Sequence, residues 1–293
     1  MNKLFLAALV LFACNQTKHE EIITEDYELH LPAGKIEAIL ILFPGYPEDA
    51  ISTKREFKIL NAAKKAGIAV LFSNYNRKLW LNVEDKENLT NQISATFKEH
   101  NLPTDNIYIG GFSSGGNVAM LIGNYMMSQE VGTPKPKGVF VVDSPVDLVQ
   151  LYRNADYYSK NSTAENLINE GQWIIQSFDQ QLGDPDSTID NYESNAVYTS
   201  QTDNIDNISQ LRNTKLRFYT EPDTTWWREY GDAGFERINA FQITNLYESL
   251  KEKGFQKVEL ITTVNKGYRS DGSKHPHSWS IVDVTELVEW MTE

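Results

Sequence analysis

Ile107–Gly115 read Ile-Tyr-Ile-Gly-Gly-Phe-Ser-Ser-Gly, and an apolar helical pattern follows them. The segment up to Gly110 has the apolar character of a buried strand. Glycines stand two places before and two places after Ser113, which leaves room for chain segments to approach closely around a sharp turn. The serine hydroxyl is therefore expected above a sheet at a helix N-terminus, where partial positive charge favours an oxyanion.

Strands and helices alternate on both sides of this stretch. Continuous apolar runs predict buried strands at 38–43, 68–72, 107–110, 139–142, 216–219 and 258–261, and helical patterns lie near 53–65, 83–99, 117–127, 239–253 and 281–291. Residues 27–31 alternate in polarity, which predicts an edge strand. This alternation predicts an α/β fold whose mostly parallel central sheet is flanked by helices on both faces.

The alternation breaks over about residues 148–214. This segment is rich in Asn, Asp, Ser and Gln, and it contains one clear helical candidate at about 164–178. A structureless loop of this length is unusual inside a compact domain, so an inserted cap is predicted here. The chain from 27 to 293 is accordingly predicted to form one domain with a cap insertion.

A serine nucleophile needs a positioned base, and five histidines are available. His275 and His277 follow the last predicted strand, whereas the other three lie before the core strands or far from the strand ends. His277 is favoured because Ser278 and Trp279 lead directly into the last helix, and His275 is the alternative base. A metal site at the His-Pro-His segment is disfavoured because no third ligand pattern lies nearby.

The sequence resembles the α/β-hydrolase superfamily of serine hydrolases, which includes esterases and peptidases. Three segments carry the resemblance: the serine turn, the turn Pro44–Pro47 after the strand 38–43, and the His-Ser-Trp segment at 277–279. The resemblance covers roughly residues 27–293 and leaves the cap unmatched. It implies an α/β-hydrolase fold and a catalytic serine, acid and histidine in that chain order.

The resemblance places the acid at a turn that follows a strand end. Asp223 matches this position best, with Glu221 as the alternative acid. Asp143, which closes the strand after the nucleophile, ranks behind both. Helix capping or a turn is the common structural role of an aspartate at such places.

Acyl transfer also needs two amide donors aimed at the developing oxyanion. The resemblance assigns one donor to the backbone N–H of Ser114. It assigns the second to Tyr46, in the turn Pro-Gly-Tyr-Pro, where Pro44 replaces the usual histidine of the superfamily.

These residues predict hydrolysis of a small-molecule carboxylic ester or amide through an acyl-enzyme on Ser113, without a metal or organic cofactor. Carboxylic-ester cleavage is the first expectation. A serine peptidase or amidase of the same fold is the alternative, with Trp226, Trp227 and the cap tyrosines as candidate substrate walls. A non-catalytic, lipid-anchored binding protein is the alternative from another class.

The N-terminus reads as a targeting segment. Lys3 precedes the apolar run Leu4–Phe12, which is too short to span a bilayer, and Leu11–Cys14 resembles the lipobox of bacterial lipoprotein signal peptides. We expect residues 1–13 to be a signal peptide, Cys14 to be lipidated, and residues 14–26 to form a tether. The resemblance implies a lipid-anchored protein of the bacterial cell envelope that faces the periplasm or exterior.

Composition excludes two classes of site and partner. Cys14 is the single cysteine, so the chain cannot form an internal disulfide. The chain has 27 Lys and Arg against 40 Asp and Glu, and the resulting formal charge of -13 disfavours binding to a nucleic-acid backbone.

Overall fold

A computed structural model describes residues 20–75, 78–129 and 132–293. The predicted signal peptide, Cys14 and the first part of the predicted tether lie outside these residues. Within them, no helix is both long enough and apolar enough to cross a bilayer.

The centre of the molecule is one sheet of eight strands. The strands are β1 (Glu20–Ile23), β2 (Tyr27–Leu31), β3 (Ala38–Phe43), β4 (Ile68–Ser73), β5 (Ile107–Phe112), β6 (Pro136–Val142), β7 (Lys215–Thr220) and β8 (Val258–Thr262). Their order across the sheet is β1-β2-β4-β3-β5-β6-β7-β8. The pairings β1–β2 and β2–β4 are antiparallel and the other five are parallel, so the prediction of a mostly parallel sheet is confirmed.

The central strands are buried on both faces, which explains their continuous apolar sequences. In β3, Ile39, Ile41 and Phe43 enter the hydrophobic core on one side of the sheet. The alternate residues Leu40 and Leu42 enter the core on the other side. Helices must therefore cover both faces.

Ten helices are described. They are α1 (Ala50–Glu56), α2 (Leu60–Lys65), α3 (Val83–Glu99), α4 (Ser114–Ser128), α5 (Leu148–Asn161), α6 (Glu165–Gln181), α7 (Ile189–Glu193), α8 (Thr224–Gly231), α9 (Asn239–Glu252) and α10 (Val284–Thr292). Short 3-10 helices occupy Asp206–Asn213, Phe235–Arg237 and Trp279–Ile281.

The single helix predicted over 53–65 is two helices, and the reason lies at Phe57. This residue has extended backbone dihedrals, with φ −105° and ψ 98°, and it ends α1. Its buried ring stacks on Trp279 at a centroid distance of 4.5 Å. Burial of Phe57 in the core thus overrides the helical pattern.

The edge of the sheet also differs from the prediction. Residues Glu20–Ile23, expected in the tether, form β1 and pair with β2, for example Glu21 with His30. The predicted edge strand at 27–31 is therefore one place inside the sheet. The β1 segment is short and exposed, so it has no apolar alternation for a sequence reading to detect.

Between β6 and β7 the chain forms α5, α6, α7 and the 3-10 helix Asp206–Asn213. The predicted helix at 164–178 corresponds to α6, whereas α5 was not predicted. The two helices pack closely at Gly171, where a Cβ atom would lie 2.6 Å from the carbonyl oxygen of Ala155. Together α5 and α6 cover the carboxyl ends of the central strands at the serine.

Candidate active site

Ser113 joins the end of β5 to the start of α4 in a strained backbone conformation. Its φ is 53° and its ψ is −130°, and its N–H donates to the carbonyl oxygen of Val142 at 3.0 Å. A non-glycine residue in this region costs about 1–3 kcal/mol and needs surrounding structure to hold it. The geometry presents the side chain above the sheet at the N-terminus of α4.

The two glycines of the motif allow this turn to close. A Cβ atom on Gly111 would lie 2.0 Å from the carbonyl oxygen of Gly115. A Cβ atom on Gly115 would lie 2.4 Å from the carbonyl oxygens of both Phe43 and Pro44. Since these neighbours are backbone atoms, no side-chain movement relieves the clash, and glycine is required at both places.

His277 lies in the loop between β8 and the 3-10 helix at 279–281. Its Nδ1 lies 2.6 Å from Oδ2 of Asp143, a distance typical of a charge-assisted hydrogen bond. Its ring packs against Phe112, with centroids 4.4 Å apart. His277 and Ser113 line the same cavity.

Asp143 is held rigidly directly after β6. It is 4% exposed, its φ is 44°, and its Oδ1 accepts a hydrogen bond from the Thr220 hydroxyl at 2.9 Å. Its N–H donates to the carbonyl oxygen of Tyr219, and its own carbonyl oxygen accepts from the side-chain amide of Asn239. Asp143 therefore takes the place beside the histidine that the sequence reading gave to Asp223.

Asp223 has a different task, which corrects its predicted role. Its side chain caps α8 by accepting from the N–H of Trp226 at 3.0 Å, and it forms an ion pair with Lys274 at 2.5 Å. The hydrogen bond from Lys274 is the main cause that lowers the pKa of Asp223, and the cap hydrogen bond adds to it. Both interactions are structural.

Glu221, the alternative acid, also has a structural role. Its buried carboxylate accepts from the N–H groups of Lys266 and Gly267, at 2.7 and 3.1 Å, and from the Thr263 hydroxyl at 3.0 Å. These bonds fix the start of the loop that ends at His277.

His275, the alternative base, is embedded in aromatic rings. Its ring centroid lies 4.6 Å from that of Trp226 and about 6 Å from those of Trp227 and Tyr230. Burial, followed by the charge of His277, lowers the pKa of His275 to about 3. Among the described residues its Nδ1 has no hydrogen-bond partner, so no carboxylate orients this ring.

The two predicted oxyanion donors contact each other. The N–H of Tyr46 donates to Oγ of Ser114 at 2.8 Å, so this N–H reaches an oxyanion only when that bond opens. The ring of Tyr46 stacks on Trp173 of α6, with centroids 4.6 Å apart and planes 9° apart. Since Ser114 is the first residue of α4, its own N–H has no carbonyl partner one turn earlier in the helix.

A cavity of about 130 Å³ lies between the serine turn and the cap. Its walls come from α5, α6, α8 and the segment 237–239, and they are largely apolar. Glu170 and Arg237 are the charged residues that line it besides His277. A concave, largely apolar pocket with a few polar groups is the usual form of a small-molecule site.

One group of side chains away from this cavity has metal-ligating chemistry. Glu21, Glu28 and His30 each place one ligand atom within 4.8 Å of the others at the β1–β2 edge. The ammonium group of Lys54 forms ion pairs with both carboxylates and supplies a cation there.

Sequence reasoning missed Thr220, Asn239, Glu170 and Arg237. Thr220 meets Asp143 because Val142 pairs with Tyr219 in parallel register, and this register follows from the sheet order, which the sequence does not show. The placement of the cap residues likewise depends on how α5 and α6 fold over the sheet.

The sheet order, the strained serine between β5 and α4, and the histidine after β8 define an α/β-hydrolase fold, as predicted. No family model and no curated protein matches the sequence. Among solved structures, the chain is similar to FphF, a fluorophosphonate-binding serine hydrolase of Staphylococcus aureus, at 10% identity over 94% of this chain and 98% of that one, with a TM-score of 0.51.

Two further solved structures are similar over comparable lengths. MPT51 (FbpC1) of Mycobacterium tuberculosis shares 11% identity over 94% of this chain and 96% of that one, with a TM-score of 0.55. An esterase/lipase from an uncultured bacterium shares 14% identity over 96% of this chain and 86% of that one, with a TM-score of 0.54. Similarity at these identities establishes the fold.

Proposed function

We propose that the protein is a serine hydrolase that cleaves a carboxylic ester through an acyl-enzyme on Ser113, with His277 as the base and Asp143 as its acid partner. The observation that carries the proposal is the 2.6 Å bond between His277 and buried Asp143, beside a serine held at positive φ in the same cavity. A serine in strained geometry near a histidine that a carboxylate orients is the arrangement that nucleophilic catalysis needs.

In this mechanism Asp143 accepts the Nδ1–H of His277, which leaves Nε2 free to take a proton. Nε2 removes the proton of Ser113 as its oxygen attacks the ester carbonyl. The protonated histidine then gives that proton to the departing alcohol, and an acyl-serine remains. A water molecule, deprotonated by the same nitrogen, attacks the acyl-serine, and the protonated histidine returns its proton to the Ser113 oxygen as the acid is released.

The oxyanion formed in each half-reaction needs preorganised donors. The N–H of Ser114 at the start of α4 is the first donor. The N–H of Tyr46 is the second, and its bond to the Ser114 hydroxyl opens when the oxyanion forms.

Ester cleavage is favoured over amide cleavage by analogy with the esterase/lipase of the same fold. An amidase uses the same residues, and it would turn over amino-acid amides with little activity on short acyl esters. A binding protein without catalysis would show neither activity.

The direct test is intact-mass analysis of the protein after treatment with a fluorophosphonate, which reacts with an activated serine. We expect one adduct on the wild type that is absent in Ser113→Ala and in His277→Ala. Ser128→Ala is the matched control, since it removes an exposed hydroxyl at the far end of α4 and should retain the adduct. Absence of an adduct on the folded wild type would refute catalysis by Ser113 and favour the binding protein.

We also propose that the mature protein is anchored in the bacterial cell envelope by a lipid on Cys14, facing the periplasm or exterior. The lipobox-like sequence Leu11–Cys14 after a short apolar run supports this localisation. Incorporation of labelled palmitate in a bacterial host should be lost in Cys14→Ser, with release of the protein from the membrane fraction. Equal membrane association of both forms would contradict it.

A further inference from the structure

The cavity above Ser113 contains polar groups that the fold already uses. The Tyr158 hydroxyl donates to the carbonyl oxygen of Arg237 at 2.9 Å, and the Asn154 amide donates to the same oxygen at 3.1 Å. Asn239 donates to the carbonyl oxygen of Asp143. These groups hold the cap segment to the sheet, so they have little capacity left for a substrate.

Arg237 is engaged by its own neighbours. Its guanidinium lies over the ring of Tyr157, 3.5 Å from the centroid, and its Nε is 3.8 Å from the Glu236 carboxylate. The ring and this carboxylate both stabilise the cation in place.

Glu170 differs from these groups. Among residues 20–75, 78–129 and 132–293, no hydrogen bond or ion pair reaches its carboxylate. It is next to Gly171 on the face of α6 that lines the cavity, together with Leu167 and Ile174. The side chain is accessible to solvent, yet the surrounding protein is dense enough that burial raises its pKa, while the charge of His277 lowers it.

The charge of Glu170 also affects the pKa of a second cavity residue, Tyr158. Burial is the main cause that raises the pKa of Tyr158, Arg237 lowers it, and the charge of Glu170 contributes a smaller increase. Glu170, His277 and Tyr158 line the same cavity. An unpaired carboxylate that shares a largely apolar cavity with Ser113 is free to bind a cation.

We infer that Glu170 is a specificity-determining residue, which binds an ammonium group in a substrate whose ester or amide carbonyl lies at Ser113. The substrate class is thus amino-acyl esters or amides with an apolar side chain. This inference rests on the proposed function. Trp227 and Tyr158 line the same cavity and supply aromatic surface, which further favours a cation and an apolar group.

The test compares two probes on the full chain: L-phenylalanine methyl ester and methyl 3-phenylpropanoate, which lacks only the amine. We expect the wild type to favour the amino ester in kcat/KM by at least about 10-fold, the scale of one hydrogen bond to a charged group. Glu170→Gln should lower kcat/KM for the amino ester by about 10- to 100-fold and leave the uncharged ester within about 3-fold. Glu165→Gln, in the exposed first turn of the same helix, is the matched control and should change neither.

Three outcomes would overturn the inference. The first is an equal loss of kcat/KM on both esters in Glu170→Gln, and the second is a wild type that does not prefer the amino ester. The third is no turnover of either ester by a protein whose Ser113 is labelled. Fluorophosphonate labelling separates this failure from that of the proposed function. If the wild type is labelled but shows no preference for the amine, only the role of Glu170 is refuted. If the wild type is not labelled, serine catalysis itself is refuted.

Discussion

Replacing Asp143 by asparagine should abolish most of the activity while the fold remains intact. Asparagine fits the site because it tolerates the positive φ of 44° and keeps the side-chain volume. Its amide oxygen can still accept from Thr220. The amide NH2 then faces Nδ1 of His277, which makes Nδ1 an acceptor and places the ring proton on Nε2, where a base must be unprotonated.

The size of the effect follows from the charge that is lost. The imidazolium and carboxylate charges, centred about 4 Å apart, attract by about 4 kcal/mol at an effective dielectric constant of 20. Losing this stabilisation in the transition state lowers the rate by about 10³-fold. The wrong tautomer adds to the loss, so we expect kcat/KM for a 4-nitrophenyl ester to fall by about 10³- to 10⁴-fold.

The control is Asp223→Asn, which removes the same charge from the other candidate acid. Because Asp223 interacts with Lys274 and the start of α8, this variant should lose about 1 kcal/mol of stability and keep kcat/KM within about 3-fold. Ester hydrolysis and urea unfolding, measured on both variants, decide the assignment. A large rate loss in Asp223→Asn with a nearly normal rate in Asp143→Asn would refute the reasoning.

Three further outcomes follow from the site. The pKa of His275 is about 3 in the folded protein and about 6.5 in the unfolded protein. Between these pH values the unfolded state binds one more proton than the folded state. The free energy of unfolding therefore falls as the pH falls from about 6.5 to 3, by up to about 1.4 kcal/mol per pH unit. His275→Phe should flatten this slope in urea unfolding at pH 7 and pH 5, and an unchanged slope would contradict it. Ser114→Ala removes the acceptor of the Tyr46 N–H and should lower the free energy of unfolding by about 1 kcal/mol. Its kcat/KM should stay within about 3-fold of the wild type. A 100-fold loss of kcat/KM in a folded variant would instead assign the hydroxyl a direct role. Gly111→Ala forces a Cβ atom against the carbonyl oxygen of Gly115 and should prevent formation of the serine turn, so a variant with wild-type unfolding and labelling would contradict the close-approach argument.

The fold was predictable because its signals are local. Each central strand is a continuous apolar run, since both faces of the strand are buried, and each run stands between helical patterns. The predicted helix 83–99 has the same limits as α3, where Asn82 caps the first turn. The departures occur where tertiary packing decides, as at Phe57, whose burial ends a helix, and at β1, which exists through its pairing with β2.

The proposed acid was harder to predict because its assignment depends on which strand ends meet, and this is a property of the sheet order. Asp143 and Asp223 each follow a parallel strand, so both lie at the carboxyl ends of the strands, as Ser113 does. In the order β5-β6-β7, however, Asp143 follows the strand next to the one that carries the nucleophile, and Asp223 follows the strand beyond it. The loop from β8 brings His277 back to Asp143, and Glu221 holds the start of that loop through two backbone N–H groups. The two acidic residues that resembled catalytic acids in the sequence therefore serve the site indirectly: Glu221 fixes the loop, and Asp223 ties Lys274, three residues before the histidine, to the start of α8. In the proposed site, one carboxylate takes part in the chemistry and two others position the surrounding loop and helix, and the order of the strands distinguishes them.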